Sequence, residues 1–248
     1  MYKKLIISNG EEIYATDCIE TALEKTARNE AVIYVCSDIE ETPIIPQIKY
    51  ITDDLESCDE EYLHMIYSRQ KGLPLTILET ERTFIREITL EDLPELYNIY
   101  DDDAIREFIE PLYNYEEEHD FTEKYIENMY GVCGYGLWVI MDKQSDKVIG
   151  RAGIENREID GELCHEIGYV VRREYRNIGI ATEVCTAITE YASDKLGMDQ
   201  LFIVCHRRNE ASIAVAKHLG FEYYAECENG LEEKIIFIKR LNYSEKCR

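Results

Sequence analysis

The chain has 248 residues, of which 45% are hydrophobic, and that length points to two units that can each bury a core. A formal charge of −24, with acidic residues in excess in both halves, argues against a nucleic-acid-binding surface, which needs basic stripes. Nine scattered cysteines without a C-x-x-C pair and five histidines support neither a disulfide framework nor a zinc site, no apolar run reaches membrane-span length, and Met1 to Ser8 is too short for a signal-peptide core; a cytoplasmic protein without a metal is expected.

From the amino terminus, Lys4 to Ser8 and Ala31 to Cys36 read as short apolar strands flanking a helix from about Cys18 to Arg28, entered through Ala15-Thr16-Asp17. That is one βαβ unit. Ile48 to Thr52 reads as a third strand and Cys58 to Gln70 as a helix opened by Asp59-Glu60-Glu61. In this order of elements residues 1–75 resemble part of a haloacid dehalogenase-type Rossmann-like domain. The aspartate motif D-x-D-x-[TV] of that family is missing near the start, so phosphatase chemistry is not expected. A truncated α/β lobe that packs on the next unit or mediates assembly is the expectation, and residues 76–82, after Gly72-Leu73-Pro74, read as a linker that could continue as a strand.

In the second unit two acidic clusters come first. Asp102 or Asp103 is placed to cap a helix running through Phe108, and Glu116-Glu117-Glu118-His119-Asp120 to open a helix from Glu117 to Tyr130. Gly131-x-x-Gly134-x-Gly136 has no strand before it and reads as a turn. Val148 to Ile154 and Cys164 to Val171 read as strands joined by Glu158-Ile159-Asp160-Gly161.

The stretch Tyr169 to Thr182 then carries an apolar strand through a short glycine-containing turn directly into a helix. Small residues at Gly179 and Ala181 let backbone N–H groups face outward, and the helix adds the positive end of its dipole, which makes a cradle for phosphate. Its spacing matches neither G-x-x-x-x-G-K-[ST] nor G-x-G-x-x-G. The helix Ile180 to Leu196 stops at Gly197, and Gln200 to Cys205 has the length of a strand. Asn209 to Phe221 opens on an N-cap residue and closes on glycine, and Glu222 to Glu226 with Lys234 to Leu241 forms an antiparallel pair around Asn229-Gly230.

Arg176-x-x-Gly179-x-Ala181 resembles the coenzyme A pyrophosphate loop of the GNAT superfamily of N-acetyltransferases, [QR]-x-x-G-x-[GA]. The N-x-x-S-x-x-x-x-x-x-L-G-F helix from Asn209 resembles the second hallmark of that superfamily. The resemblance covers Thr83 to Leu241, which implies a GNAT domain over residues 83–242 and a tail at 243–248. Its fold would be a mixed, mostly antiparallel central sheet with splayed strands and flanking helices. Thr83-Phe84-Ile85-Arg86-Glu87-Ile88-Thr89 followed by Leu90-Glu91-Asp92-Leu93 is similar to the opening of the ribosomal-protein alanine acetyltransferase-like branch.

The resemblance implies acetyl-CoA as cosubstrate. Tyr169, Val170 and Val171 would line the splay and pair with the pantetheine arm, and Arg176, Asn177, Ile178, Gly179, Ile180, Ala181 and Thr182 would hold the diphosphate. Asn209 and Ser212 would contact the coenzyme, with Asn209 also serving as N-cap. Many relatives place a tyrosine acid seven residues after that asparagine; here the position is Ala216, so that mechanism does not carry over, and Ser212 is either the alternative acid or a coenzyme contact only. For the base, Glu166 is a charged residue in an apolar run, with Glu155 and Glu226 as competitors; His165 should face the opposite way. The expected reaction is direct acetyl transfer to a primary amine, a small cation or a protein N-terminus. In the superfamily the segment after the first helix forms a wall of the acceptor site, so the acidic clusters could attract a cation. A non-catalytic acyl-CoA-binding module is the rival that Ala216 keeps open, and a homodimer is compatible with either.

Overall fold

Glu12-Ile13-Tyr14-Ala15-Thr16 alternates outward and inward side chains, and in the computed structural model it forms a strand that the reading of the sequence passes over. The structure describes residues 2–159, 161–229 and 232–241, in two units, Met1–Leu75 and Thr76–Arg248. The first unit runs β1 (Tyr2–Ile6), β2 (Glu12–Thr16), α1 (Ile19–Ala27), β3 (Val32–Val35), β4 (Ile51–Thr52) and α2 (Glu60–Lys71). Its sheet has the order β1-β2-β3-β4, with β1 antiparallel to β2 and the rest parallel. Ile13, Ala15 and Ile33 pack with Ile66 of α2, while Ala22 of α1 packs with Val32 and Tyr34. The βαβ unit is therefore β2-α1-β3. The apolar run at Lys4 to Ser8 belongs to a largely exposed edge strand instead, and the third strand shortens to two residues. Nothing in the described residues adds to the dehalogenase-type resemblance. Asp59 caps α2 by accepting from the Tyr62 N–H at 2.8 Å.

The second unit runs β5 (Thr76–Glu79), β6 (Thr83–Arg86), α3 (Leu93–Tyr100), α4 (Asp103–Arg106), α5 (Tyr115–Tyr125), β7 (Leu137–Asp142), β8 (Lys147–Ile159), β9 (Glu162–Val171), α6 (Ile180–Asp194), β10 (Gln200–His206), α7 (Glu210–His218), β11 (Glu222–Asn229) and β12 (Glu232–Arg240). Thr76–Glu79, expected as a linker that could continue as a strand, is an edge strand paired to β6. The helix expected from Glu117 starts earlier, because Asn114 caps it by accepting from Glu117 N–H. It continues from Ile126 to Cys133 as a wider π-helical turn and ends on Gly134 at φ +75°. The glycine-rich stretch is thus a helix stop. The strand expected to end at Ile154 runs on to Ile159; Asp160 and Gly230, named in the two expected turns, and the tail at 243–248 lie outside the described residues.

The sheet order is β11-β12-β10-β9-β8-β7-β6-β5, antiparallel throughout except between β9 and β10. Strand alternation puts Trp138, Ile154, Ile167 and Tyr169 on one face, where Tyr191 of α6 meets the Trp138 ring edge-on at 5.8 Å. Val139, Arg151, Glu155, Glu166 and Val170 share the other face, where the Arg151 guanidinium lies 5.6 Å from the centre of the Tyr125 ring of α5. At Gly153 a Cβ would sit 1.9 Å from the Gly136 carbonyl oxygen, so only glycine lets the chain after α5 cross this strand.

Candidate active site

The β8 and β9 strands pair over ten positions, from Gly150 with Val171 to Ile159 with Glu162. By contrast β9 and β10 share a single pair, Glu166 with Phe202. Beyond it the β9 edge from Ile167 to Val171, including Tyr169, Val170 and Val171, has no strand partner on that side among the described residues. A polar backbone edge left open beside a second strand can take an extended amide-bearing ligand as an added strand.

That open edge runs into the cradle. After one 3₁₀ turn at Arg173–Tyr175, Asn177 at φ +59° and Gly179 at φ +86° turn the chain into α6. The first intrahelical bond at this end is from Glu183 N–H to Gly179 O at 3.0 Å, and no side chain caps the helix. The N–H groups of Ile180, Ala181 and Thr182 therefore have no partner one turn below them, as an anion site requires.

Arg176 departs from expectation. Its N–H bonds Arg173 O at 3.3 Å, its Nε donates to Val171 O at 2.8 Å, and its Nη2 lies 3.0 Å from Asp102 Oδ2. The guanidinium anchors the loop to the α4 cap and is not turned to the cradle. Asp102 meanwhile accepts from the Ala104 N–H at 2.8 Å, and that bond, with the Arg176 charge, holds its carboxyl below the usual range despite desolvation. Glu183, in the first turn of α6, accepts from Thr80 Oγ1 at 2.6 Å, the Arg82 N–H at 2.9 Å and Arg82 Nε at 2.6 Å.

Across the splay three polar side chains meet. Asn209 caps α7 by accepting from the Ser212 N–H at 3.0 Å, which fixes the first turn of that helix. The Tyr169 hydroxyl donates to Ser212 Oγ at 3.0 Å. Burial pushes the Tyr169 phenol well up and the Cys205 thiol of β10 up, so both stay protonated at neutral pH. The sequence placed Tyr169 on the splay by its backbone alone; its side-chain partnership lies 43 residues away and had no local signal. Ala216 is fully buried in the core.

On the opposite face Glu155 and Glu166 are register partners. Glu166 is 7% exposed and ion-paired to Arg157 Nε. Burial raises its pKa, with the Arg157 charge acting against it. Glu155 is raised by burial as well, opposed by Arg151 and Arg157, and its Oε2 lies 3.4 Å from where a Cβ on Gly168 would stand. That glycine belongs to the unpaired part of β9. His165 faces the other way, as expected, with its ring edge-on to Tyr135. Glu226 does not join the group: it is exposed on β11, separated from β9 by β12 and β10. Among the described residues His119, Asp120 and Glu123 could converge on a metal ion, but they lie along α5, two of the three exposed, away from the cradle residues in sequence and element.

The gap between β9 and β10 opens onto the uncapped start of α6, so a long ligand ending in a diphosphate can lie along the one and rest on the other. This is the layout of an acyl-coenzyme A-dependent transferase. The chain belongs to the GNAT acetyltransferase family: the acetyltransferase (GNAT) domain matches residues 82–222. The uncharacterized N-acetyltransferase YnaD of Bacillus subtilis (strain 168) is 28% identical over 144 residues, 58% of this chain and 81% of YnaD. RimL, a ribosomal L7/L12 alpha-N-protein acetyltransferase solved in complex with coenzyme A, has a TM-score of 0.59 at 15% identity, over 68% of this chain and 100% of that one. The ribosomal-protein-S5-alanine acetyltransferase of Vibrio fischeri has a TM-score of 0.58 at 19% identity, over 66% and 95%. These two likenesses concern the fold; the family makes the chain an acetyl-CoA-dependent acyltransferase.

Proposed function

We propose that the protein transfers the acetyl group of acetyl-CoA directly to a primary amine in a ternary complex. The observation that carries this reading is the meeting of Tyr169, Ser212 and the unpaired β9 edge on one side of the sheet with Glu155 and Glu166 on the other. Pantetheine amides pair along Ile167 to Val171, and the diphosphate sits on the N–H groups of Gly179 to Thr182. Asn209 holds the α7 turn, so that Ser212 faces the thioester sulfur.

In this reading Glu155 is the base. Its carboxylate is beside Gly168, and its raised pKa suits removal of a proton from an ammonium, directly or through one water. Glu166, engaged by Arg157, shapes the field around it. As the amine attacks the carbonyl carbon, the C–S bond breaks and the thiolate takes a proton from Ser212, which takes one in concert from the Tyr169 hydroxyl; water entering as coenzyme A leaves returns a proton to Tyr169. That relay replaces the tyrosine missing at Ala216. Positioning supplies most of the acceleration, and the proton transfers add to it.

The acceptor is a cationic amine, either a small molecule or a protein N-terminus. Support comes from the acidic α4 and α5 region, which includes the exposed Asp103, Glu116 and Glu117. Residues 1–75 lie outside the family match and keep the role of an accessory α/β lobe. The test is release of coenzyme A thiol from acetyl-CoA with a panel of polyamines, aminoglycosides and basic-start peptides. Turnover with at least one amine is expected. Tight coenzyme binding with no turnover across the panel would reduce the protein to a binding module.

A further inference from the structure

A diphosphate resting on α6 carries its charge into a chain whose formal charge is −24, beside the carboxylate of Glu183 in the first helical turn. Backbone N–H groups alone would face that repulsion, and the arginine of the loop motif is turned away to Val171 and Asp102. A different arginine stands at the cradle. Arg82, from the turn between β5 and β6, donates through Nε to Glu183 Oε2 and through Nη1 to Ile178 O at 2.7 Å. Its Nη2 lies 3.4 Å from where a Cβ on Gly179 would be.

We propose that Arg82 is a coenzyme-binding residue whose Nη2 end contacts the diphosphate of coenzyme A. This inference rests on the placement of the diphosphate at Gly179 to Thr182 given above. Three features carry it. The Nε and Nη1 donors are spent on Glu183 and Ile178 O, which fixes the plane of the guanidinium fork. The same two bonds neutralise the acid and hold the carbonyl, the two groups nearest the cradle that would repel an anion. Nη2 makes no hydrogen bond to any described group, and glycine at 179 keeps the space beside it clear.

The experiment is calorimetric titration of the full chain with coenzyme A at low and at high salt, on wild type, Arg82→Gln, Glu183→Gln and Gly179→Leu. Loss of a charge-assisted contact should weaken binding by Arg82→Gln about tenfold or more at low salt and flatten its salt dependence. Glu183→Gln should bind as well as wild type or more tightly, because a negative charge leaves the cradle while Arg82 stays. A residue that merely clamped the loop would give the opposite sign: Glu183→Gln would then weaken binding as Arg82→Gln does, and the proposal would be overturned. Unchanged affinity in Arg82→Gln would overturn it too. The Glu183→Gln arm decides the matter even if Arg82→Gln does not fold. Wild-type affinity in Gly179→Leu would instead remove the diphosphate from this loop, a failure of the underlying placement and not of Arg82 alone.

Discussion

The Tyr169 hydroxyl on β9 donates to Ser212 Oγ in the first turn of α7, bridging the two sides of the splay at 3.0 Å. If this pair delivers the proton to the departing thiolate, Ser212→Ala should lower kcat about 10- to 100-fold with little change in KM for acetyl-CoA. Tyr169→Phe should cost less, and the double variant should be no worse than Ser212→Ala, because the two act in series. Steady-state kinetics on the three variants checks this; additive losses would break the relay.

Glu155→Gln should lose most activity near neutral pH, above the acid-side fall that protonation of Glu155 imposes on the wild type. There the acceptor is still an ammonium and needs the base, whereas at high pH the free amine attacks unaided. The ratio of wild type to variant is expected to reach about 100 near neutrality and to shrink as pH rises. A ratio that does not change with pH, or a larger loss in Glu166→Gln, would move the base.

Arg157→Met removes the cation that opposes the burial-driven rise of Glu166 and Glu155. Both carboxyls then rise further, so the acid-side fall of activity should move to higher pH. The sign for stability follows from linkage. A carboxyl whose folded pKa lies above its unfolded value stabilises the fold most below the unfolded pKa, and that contribution is lost as pH rises through the folded one. Thermal melts should therefore show a penalty of about 1–3 kcal/mol near neutral pH that fades in acid.

Ala216→Tyr should not supply a tyrosine acid at this site. The methyl group of Ala216 is fully buried among core residues, so a phenol there overpacks the core by about 1–3 kcal/mol. Melting temperature should drop while kcat gains nothing; a rise in kcat would mean that the site can open.

Gly153→Ala meets backbone, the Gly136 carbonyl, at a distance no Cβ tolerates. A cost of about 3 kcal/mol is expected, which for a chain of this size lowers Tm by about 2–4 °C per kcal/mol.

What the sequence disclosed and what it hid divide along the range of the forces involved. The Asn209 cap, the Gly179 turn and the apolar runs of β9 and β10 are set by neighbours within a few positions, and they were legible. Glu166 was legible as a buried charge because it interrupts an apolar run. Its partner Arg157 and its register neighbour Glu155 depend on hairpin pairing, which the expected strand end at Ile154 concealed. The guanidinium partner of Arg176 was hidden because Asp102 comes from another element, and Arg82 escaped notice because Ile178, whose carbonyl it holds, is 96 residues away. β2 was missed since a strand broken by glutamate and tyrosine shows little apolar contrast.

The single pair joining β9 to β10 gives the second unit a seam that its own backbone does not close. A donor lying in that seam is then part of the building as well as the reagent, and a ligand at a hundred times its dissociation constant adds about 2.7 kcal/mol of stability. The durability of this enzyme should thus follow the supply of its own fuel. Amides along Ile167 to Val171 and Ile203 to His206 should exchange with solvent quickly when coenzyme is scarce and slowly when it is abundant.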